Sequence, residues 1–141
     1  MDSSSLLAYL RGDPGGHLVQ RILRQSAECG YRVKIAPMDL LEVYGQCANE
    51  DSVLHEVAAL IEQLPCEVTP FTGWDVMQVA RIAAERPELG YGQSASLHLA
   101  RTLGATLVTA NEKLKAAWEP SLLIKGEDRK NGETYTNQST S

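Results

Sequence analysis

The chain has 141 residues, with 18 acidic and 13 basic side chains and a formal net charge of −5 at pH 7. Hydrophobic residues make up 43% and charged residues 22%, a composition that excludes wholesale disorder. This length suits one domain with its own core rather than two. The acidic balance also argues against non-specific binding to nucleic acid, because affinity for phosphates comes mainly from Lys and Arg.

Targeting signals and cysteines indicate the compartment. No apolar run approaches the roughly 18 residues that a membrane span needs, and the start of the chain lacks the basic and apolar regions of a signal peptide. Cys29, Cys47 and Cys66 are odd in number and widely spaced, which fits neither a zinc motif nor a disulfide framework. We therefore expect a cytoplasmic protein whose cysteines are reduced and lie in the core.

The first half of the chain shows helical and strand periodicities in turn. Apolar residues recur at helical spacing in four stretches, and one stretch alternates apolar with basic residues, which is the strand period. In chain order, we predict a helix over residues 6–10, a helix over 18–27 ended by Gly30, a strand over 31–35, a helix that begins at Pro37, and a helix over 53–64 ended by Pro65.

The second half continues the alternation. Thr72 and Asp75 have the spacing of a capping box at a helix start. In chain order, we predict a weak strand over 66–69, a helix from Thr72 to about Arg86, a helix around 95–103, a strand over 105–110 and a last strand over 122–124. Such alternation predicts a single three-layer α/β/α domain over residues 1–124 with a mainly parallel central sheet. Residues 125–141 are polar, and we expect a mobile tail.

Polar residues lie where helices follow the predicted strands. In open α/β sheets, sites form beyond the carboxyl ends of the strands, where the next helices begin. Asp39 and Glu42 are three residues apart and therefore share one face of a helix's first turn. The candidate site residues of this kind are Asp2, Asp39 with Glu42, Gln93 and Asn111.

The order and spacing of these residues resemble a known family. The segments concerned begin at Asp2-Ser3-Ser4, at Asp39-Leu40-Leu41-Glu42-Val43 and at Gly92-Gln93-Ser94-Ala95, the last running through LHLARTLGATLVTAN to Asn111. Over roughly Asp2 to Ile124 the chain resembles PIN domains, specifically the toxins of bacterial VapBC toxin–antitoxin pairs. The resemblance implies a ribonuclease that hydrolyses RNA phosphodiesters with Mg²⁺ or Mn²⁺. It also implies a homodimer silenced by a small antitoxin protein.

The resemblance assigns the catalytic positions to Asp2, Glu42, Gln93 and Asn111. Hard divalent cations prefer oxygen ligands, and the two carboxylates, Asp2 and Glu42, would hold the metal. Supporting roles fall to Ser4, Asp39 and Thr109. Because neutral amides replace the usual aspartates at positions 93 and 111, the formal charge of the four positions falls from −4 to −2. We therefore expect weak metal binding and reduced activity.

The amino-terminal segment also departs from the family pattern. Only Met1 precedes Asp2, where family members carry several apolar residues that form a central strand. We expect this strand to be short or missing, or the chain to begin further upstream.

Structural roles compete with these functional ones. Asp2, Asn111 and the pair Asp39–Glu42 also fit helix N-caps or a capping box. This leaves a second hypothesis, a catalytically silent PIN-type domain that binds RNA or protein. A phosphoryl-accepting receiver domain is a weaker third hypothesis, since the chain lacks a strand that ends in paired acids.

Other residues carry simpler predictions. Trp74 and Trp118 are expected to anchor the core, and His98 is expected to be either a surface histidine or one whose hydrogen bonds are satisfied. The apolar faces of the early helices are candidate contacts for a partner, through Leu6, Leu7, Leu40 and Val43.

Overall fold

Helices and short parallel strands alternate along the chain, as the sequence predicts. The structure is a computed structural model that describes residues 1–124. The predicted tail, 125–141, lies outside the described residues. The elements are α1 (Ser3–Arg11), α2 (Gly16–Cys29), β1 (Val33–Ile35), α3 (Pro37–Gly45), α4 (Asp51–Gln63), β2 (Cys66–Val68), α5 (Gly73–Glu85), α6 (Tyr91–Leu103), β3 (Leu107–Thr109), α7 (Glu112–Ala117) and β4 (Ser121–Leu123).

The strands form two parallel pairs rather than one continuous sheet. β1 pairs with β2 and β3 pairs with β4, both in parallel. The first two residues connect the pairs: the Met1 amine donates a hydrogen bond to the Lys34 carbonyl of β1, and the Asp2 amide donates one to the Val108 carbonyl of β3, both at 3.0 Å. No strand lies between β1 and β3 among residues 1–124. This is the place where the first strand was expected to be short or missing.

The early helices contribute their apolar residues to the core. Leu6 and Val43 are 0% and 1% exposed and pack in the largest buried cluster with Val19, Ile35 and Ile124. The prediction that Leu6 and Val43 serve as partner contacts is therefore wrong, because both side chains are already covered by the protein's own core.

The packing of α5 against α6 corrects the prediction for Trp74. Trp74 is 58% exposed, so it does not anchor the core. His98 on α6 is buried and shares a 2.8 Å hydrogen bond with Asp75, as expected of a satisfied histidine. The predicted capping box is confirmed, since Asp75 and Thr72 bond to each other at the start of α5.

Cys29 is exposed, which contradicts its predicted core position, because it lies at the solvent-facing end of α2.

The helices do not have the dimensions of membrane spans. Within residues 1–124, no helix is both long enough and apolar enough to cross a bilayer.

Candidate active site

Asp2 is fixed at the N-terminus of α1 by a dense set of hydrogen bonds. It is the N-cap of that helix and is only 3% exposed. Its Oδ1 accepts from the Ser5 amide at 3.0 Å and from the hydroxyls of Ser4 and Ser5 at 2.8 and 2.9 Å. Its Oδ2 accepts from the Thr109 hydroxyl. The carboxylate thus ties α1 to the end of β3.

The hydrogen-bond donors around Asp2 nevertheless do not occupy all of the lone pairs of its carboxylate. Each hydroxyl carries one proton, while a carboxylate offers about four lone-pair positions. The Ser5 hydroxyl also lies 2.9 Å from the Val108 carbonyl, and Ser4 Oγ is equidistant, within 0.1 Å, from both oxygens of Asp2. When Ser5 donates to Val108, one lone pair of Asp2 is free to accept a cation.

Asp39 lies inside the first turn of α3 and is buried. The N-cap of α3 is Ala36, so the predicted capping box of Asp39 with Glu42 is wrong. Asp39 instead accepts from the Ser3 amide at 2.9 Å and from the Ser96 hydroxyl of α6 at 2.6 Å. Burial, with a smaller contribution from the nearby charge of Asp2, raises the pKa of this carboxyl to about 7 against the lowering effect of its hydrogen bonds.

Glu42 is one turn further along α3 and is exposed. The Ser3 hydroxyl donates to its Oε2 at 2.5 Å. Its carboxylate lies directly over Gly92 of α6, where an added Cβ would stand 1.7 Å from Glu42 Oε1. The absence of a side chain at Gly92 is therefore what allows the carboxylate to occupy this position.

Three carboxylates thus gather around the first turn of α1. Ser3 contacts both Asp39, through its amide, and Glu42, through its hydroxyl, and Asp2 is its neighbour in the chain. Sequence reasoning identified the acids but missed Ser3 and Ser96. The one available signal for Ser96 was its position three residues after Gln93, on the same face of α6.

The two amide side chains at the site act as helix caps. Asn111 Oδ1 accepts from the amides of Lys113 and Leu114 at 2.9 and 3.1 Å, and so caps α7 as the sequence predicts. Gln93 Oε1 accepts from the Gly90 amide at 3.1 Å at the start of α6. Both lone pairs of the Asn111 oxygen are used in this way, whereas the Gln93 oxygen retains one.

The side chains around Asp2 offer oxygen atoms, which are the donors that hard divalent cations prefer. Among residues 1–124, no group of three or more His, Cys, Asp or Glu side chains is arranged to hold a metal ion. Mg²⁺ is nevertheless commonly held by one or two carboxylates and several waters. Asp2, with its free lone pair, and Glu42, with its exposed carboxylate, are the side chains that would hold such an ion.

Thr109 offers a test of how this network supports the site. Its hydroxyl donates to Asp2 and accepts from the Asn111 amide at 2.9 Å, and the residue is fully buried. We expect Thr109→Val to lower the free energy of unfolding by about 1–3 kcal/mol, because buried polar groups lose their partner. Thr109→Ser, which keeps the hydroxyl, is the control in urea denaturation; equal losses in both variants would assign the effect to packing instead.

Comparison with known proteins identifies the fold. The family model described as "PIN domain" matches residues 1–118. The chain belongs to the PIN domain family. A solved structure, PAE2754 from Pyrobaculum aerophilum, is similar with a TM-score of 0.59 and 18% identity, over 87% of this chain and 86% of that one. No curated protein matches the chain.

Membership of the PIN family gives the site its chemical context. PIN domains are generally nucleases that act on RNA or DNA, and they typically use divalent metal ions. The predicted α/β class with parallel strands is confirmed by the family and by the structural similarity.

Proposed function

We propose that this PIN domain is a toxin-type endoribonuclease that hydrolyses RNA phosphodiesters slowly with a single Mg²⁺ or Mn²⁺ ion. The observation that carries the proposal is the convergence of Asp2, Asp39 and Glu42 around Ser3, with Glu42 seated over Gly92. Asp2 is held rigidly by its hydrogen bonds, and Glu42 is exposed where a substrate has access.

Two of the residues would bind the ion, and two others would hold a binding residue in position. A bound divalent ion supplies an activated water and neutralises charge on the phosphate. Asp2 and Glu42 would hold the ion, while Ser4 and Thr109 fix the orientation of Asp2. The neutral side chains of Gln93 and Asn111 add no charge, which is why we propose reduced activity.

The capping roles of the amides favour a second candidate function. Asn111 uses its side-chain oxygen entirely for α7, and Gln93 uses part of its capacity for α6. A domain whose amides serve only its own helices would be a catalytically silent module that binds RNA or protein. Complete inactivity of the protein with Mn²⁺ would support this candidate.

Gly92→Ala tests the proposal without changing an acid. The new Cβ would displace the Glu42 carboxylate, which is the end of a flexible exposed side chain, so the fold should persist. We expect RNA cleavage with Mn²⁺ to fall by at least tenfold, as in Glu42→Ala. Gly90→Ala is the matched control, because a Cβ there meets nothing within 4 Å. Undiminished cleavage by Glu42→Ala would remove Glu42 from the mechanism.

The toxin-type assignment extends to partners. On the same resemblance we propose a cytoplasmic homodimer silenced by a small antitoxin. Support comes from three large apolar side chains near the start of α5, which are 51–58% exposed: Trp74, Val76 and Met77. Light scattering that finds only monomer at micromolar concentration would contradict the dimer.

A further inference from the structure

A groove of about 380 Å³ lies between α5 and α6, and none of the acids of the candidate active site lines it. On α5 its lining residues recur at helical spacing along one face, and on α6 they come from the second half of the helix. The side chains that line this α5–α6 groove include Trp74, Gln78, Arg81, Glu85, His98 and Arg101. Aromatic and charged groups therefore meet in one surface depression outside the site already described.

Trp74 presents an open aromatic ring in this groove. The residue is 58% exposed, and the centroid of its ring lies 5.7 Å from that of His98. His98 is itself buried, shares a 2.8 Å hydrogen bond with Asp75 and packs edge-on against Phe71. A fixed imidazole thus supports part of the indole while the rest of the ring faces solvent. Such a ring is a surface on which a nucleobase can stack, because every base has a π face.

Two arginines supply positive charge to the same groove. Within residues 1–124, neither Arg81 nor Arg101 forms an ion pair, and both side chains are exposed. Glu85, one turn beyond Arg81 on α5, is the acid that lines the groove with them. The three side chains carry a formal charge of +1 in a chain whose net charge is −5. Because guanidinium groups match phosphate geometry, the groove offers an anionic strand a local attraction that the chain as a whole does not.

We propose that the α5–α6 groove binds a single-stranded segment of the RNA substrate, with a base stacked on Trp74 and phosphates contacting Arg81 and Arg101. The inference rests on the proposed ribonuclease function for the identity of the strand. A single strand fits because its bases are free to stack on a side chain, whereas a duplex keeps them inside. An apolar peptide would leave both guanidinium groups without a partner, and an acidic peptide would make no use of the open indole.

Helix α6 connects the groove to the candidate active site. Tyr91 and His98 are seven residues apart, so they lie on one face of α6, and Tyr91 is 69% exposed. Tyr91 is also the neighbour of Gly92, over which the Glu42 carboxylate lies. Gly92 and His98 are separated by about 9 Å along the helix axis. A strand bound in the groove would therefore pass Tyr91 to reach the residues proposed to bind the metal.

Tryptophan fluorescence in the presence of EDTA tests binding separately from cleavage. The probe is an RNA octamer of adenosine and cytidine, which does not pair with itself and is not hydrolysed when metal is chelated. The chain has two tryptophans, and the indole of Trp118 is partly buried and bonded to the Ala105 carbonyl. We expect RNA to quench the emission, and Trp74→Leu to abolish the quenching and weaken binding at least fivefold by anisotropy of a labelled octamer. Quenching that persists in Trp74→Leu would overturn the proposal.

Arg81→Gln and Arg101→Gln test the phosphate contacts. Each should weaken binding at least threefold at low salt and reduce the slope of log K against log salt by about 0.7, the value for one contact on a single strand. Arg21→Gln and Arg24→Gln, at exposed positions of α2 outside the groove, are the matched controls. Glu85→Gln should strengthen binding, because it removes a repulsive charge. Equal weakening in all four arginine variants would indicate attraction by net charge alone and overturn the proposal.

Two further measurements identify the occupant of the groove. An abasic octamer with the same phosphates should bind at least fivefold more weakly than the RNA. Equal affinity of the two oligomers would assign the groove to acidic segments of a protein and overturn the proposal. Trp74 emission that changes with protein concentration in the absence of RNA would assign the ring to a contact between copies of the chain and also overturn it. Val76 and Met77 do not line the groove, so a dimer contact through these two side chains leaves it accessible.

The groove and the ribonuclease activity fail separately in these experiments. Quenching through Trp74 in EDTA without any cleavage in Mn²⁺ would support the groove and contradict the ribonuclease. RNA cleavage in Mn²⁺ that Trp74→Leu and Arg81→Gln leave unchanged, with no quenching in EDTA, would overturn the groove and leave the ribonuclease proposal intact.

Discussion

The double variant Gln93→Asp and Asn111→Asp should cleave RNA with Mn²⁺ at least tenfold faster than the unmodified chain. The two changes take the formal charge of the four proposed catalytic positions from −2 to −4. One unit-charge pair about 4 Å apart is worth roughly 4 kcal/mol at an effective dielectric near 20, so the gain survives heavy discounting for solvation. Initial rates on a labelled RNA, measured across a Mn²⁺ titration, separate tighter metal binding from faster cleavage.

The same variant should keep its fold, because Asp serves both caps. Asp is as good an N-cap as Asn at position 111, and an Asp three residues into α5 already forms a capping box in this protein. Gln63→Asp with Asn49→Asp, at two exposed positions, is the control for net charge. If the unmodified chain cleaves as fast as the double variant, the argument from charge is wrong.

Asp39→Asn should stabilise the metal-free protein by about 2–4 kcal/mol at pH 8 and have little effect near pH 4. The folded-state pKa of Asp39 is raised to about 7 from 3.8. Between these values the folded protein holds a proton that the unfolded chain has released, so the free energy of unfolding falls as pH rises. An asparagine removes this dependence. Urea denaturation at both pH values, with a chelator present, measures it.

The asparagine should be accommodated by the existing hydrogen bonds. Its oxygen would accept from the Ser3 amide, and its nitrogen would donate to the Ser96 hydroxyl, which also lies 3.2 Å from the Gly92 carbonyl. Asp13→Asn, at an exposed position, is the control and should show no such pH dependence. Destabilisation of Asp39→Asn at pH 8 would show that the ionised carboxylate is favourable in its surroundings.

Local sequence signals predicted the elements and several helix ends. The capping box of Thr72 with Asp75 and the N-cap at Asn111 depend on contacts within four residues, and both are present. The strands were also located, although β1, β2 and β3 are shorter than the predicted stretches. Their hydrogen-bonded length depends on partners distant in sequence, and residues 31, 32, 105 and 106 precede the paired segments.

Contacts distant in sequence account for what the sequence did not reveal. Asp39 has the spacing of a capping residue, but its partner Ser96 is 57 positions away, and no periodicity indicates that pairing. The position of the Glu42 carboxylate over Gly92 likewise depends on two residues that are distant in sequence. Trp74 was expected in the core from its residue type alone, whereas burial depends on which helix face the tertiary packing covers.

The position of Met1 between the two strand pairs has a practical consequence for expression. Any residues joined directly ahead of Met1 would start their path next to Lys34 and Val108, between the two strand pairs. Their sequence would therefore influence how firmly Asp2 is held. A purification handle at the carboxyl terminus leaves these contacts unchanged.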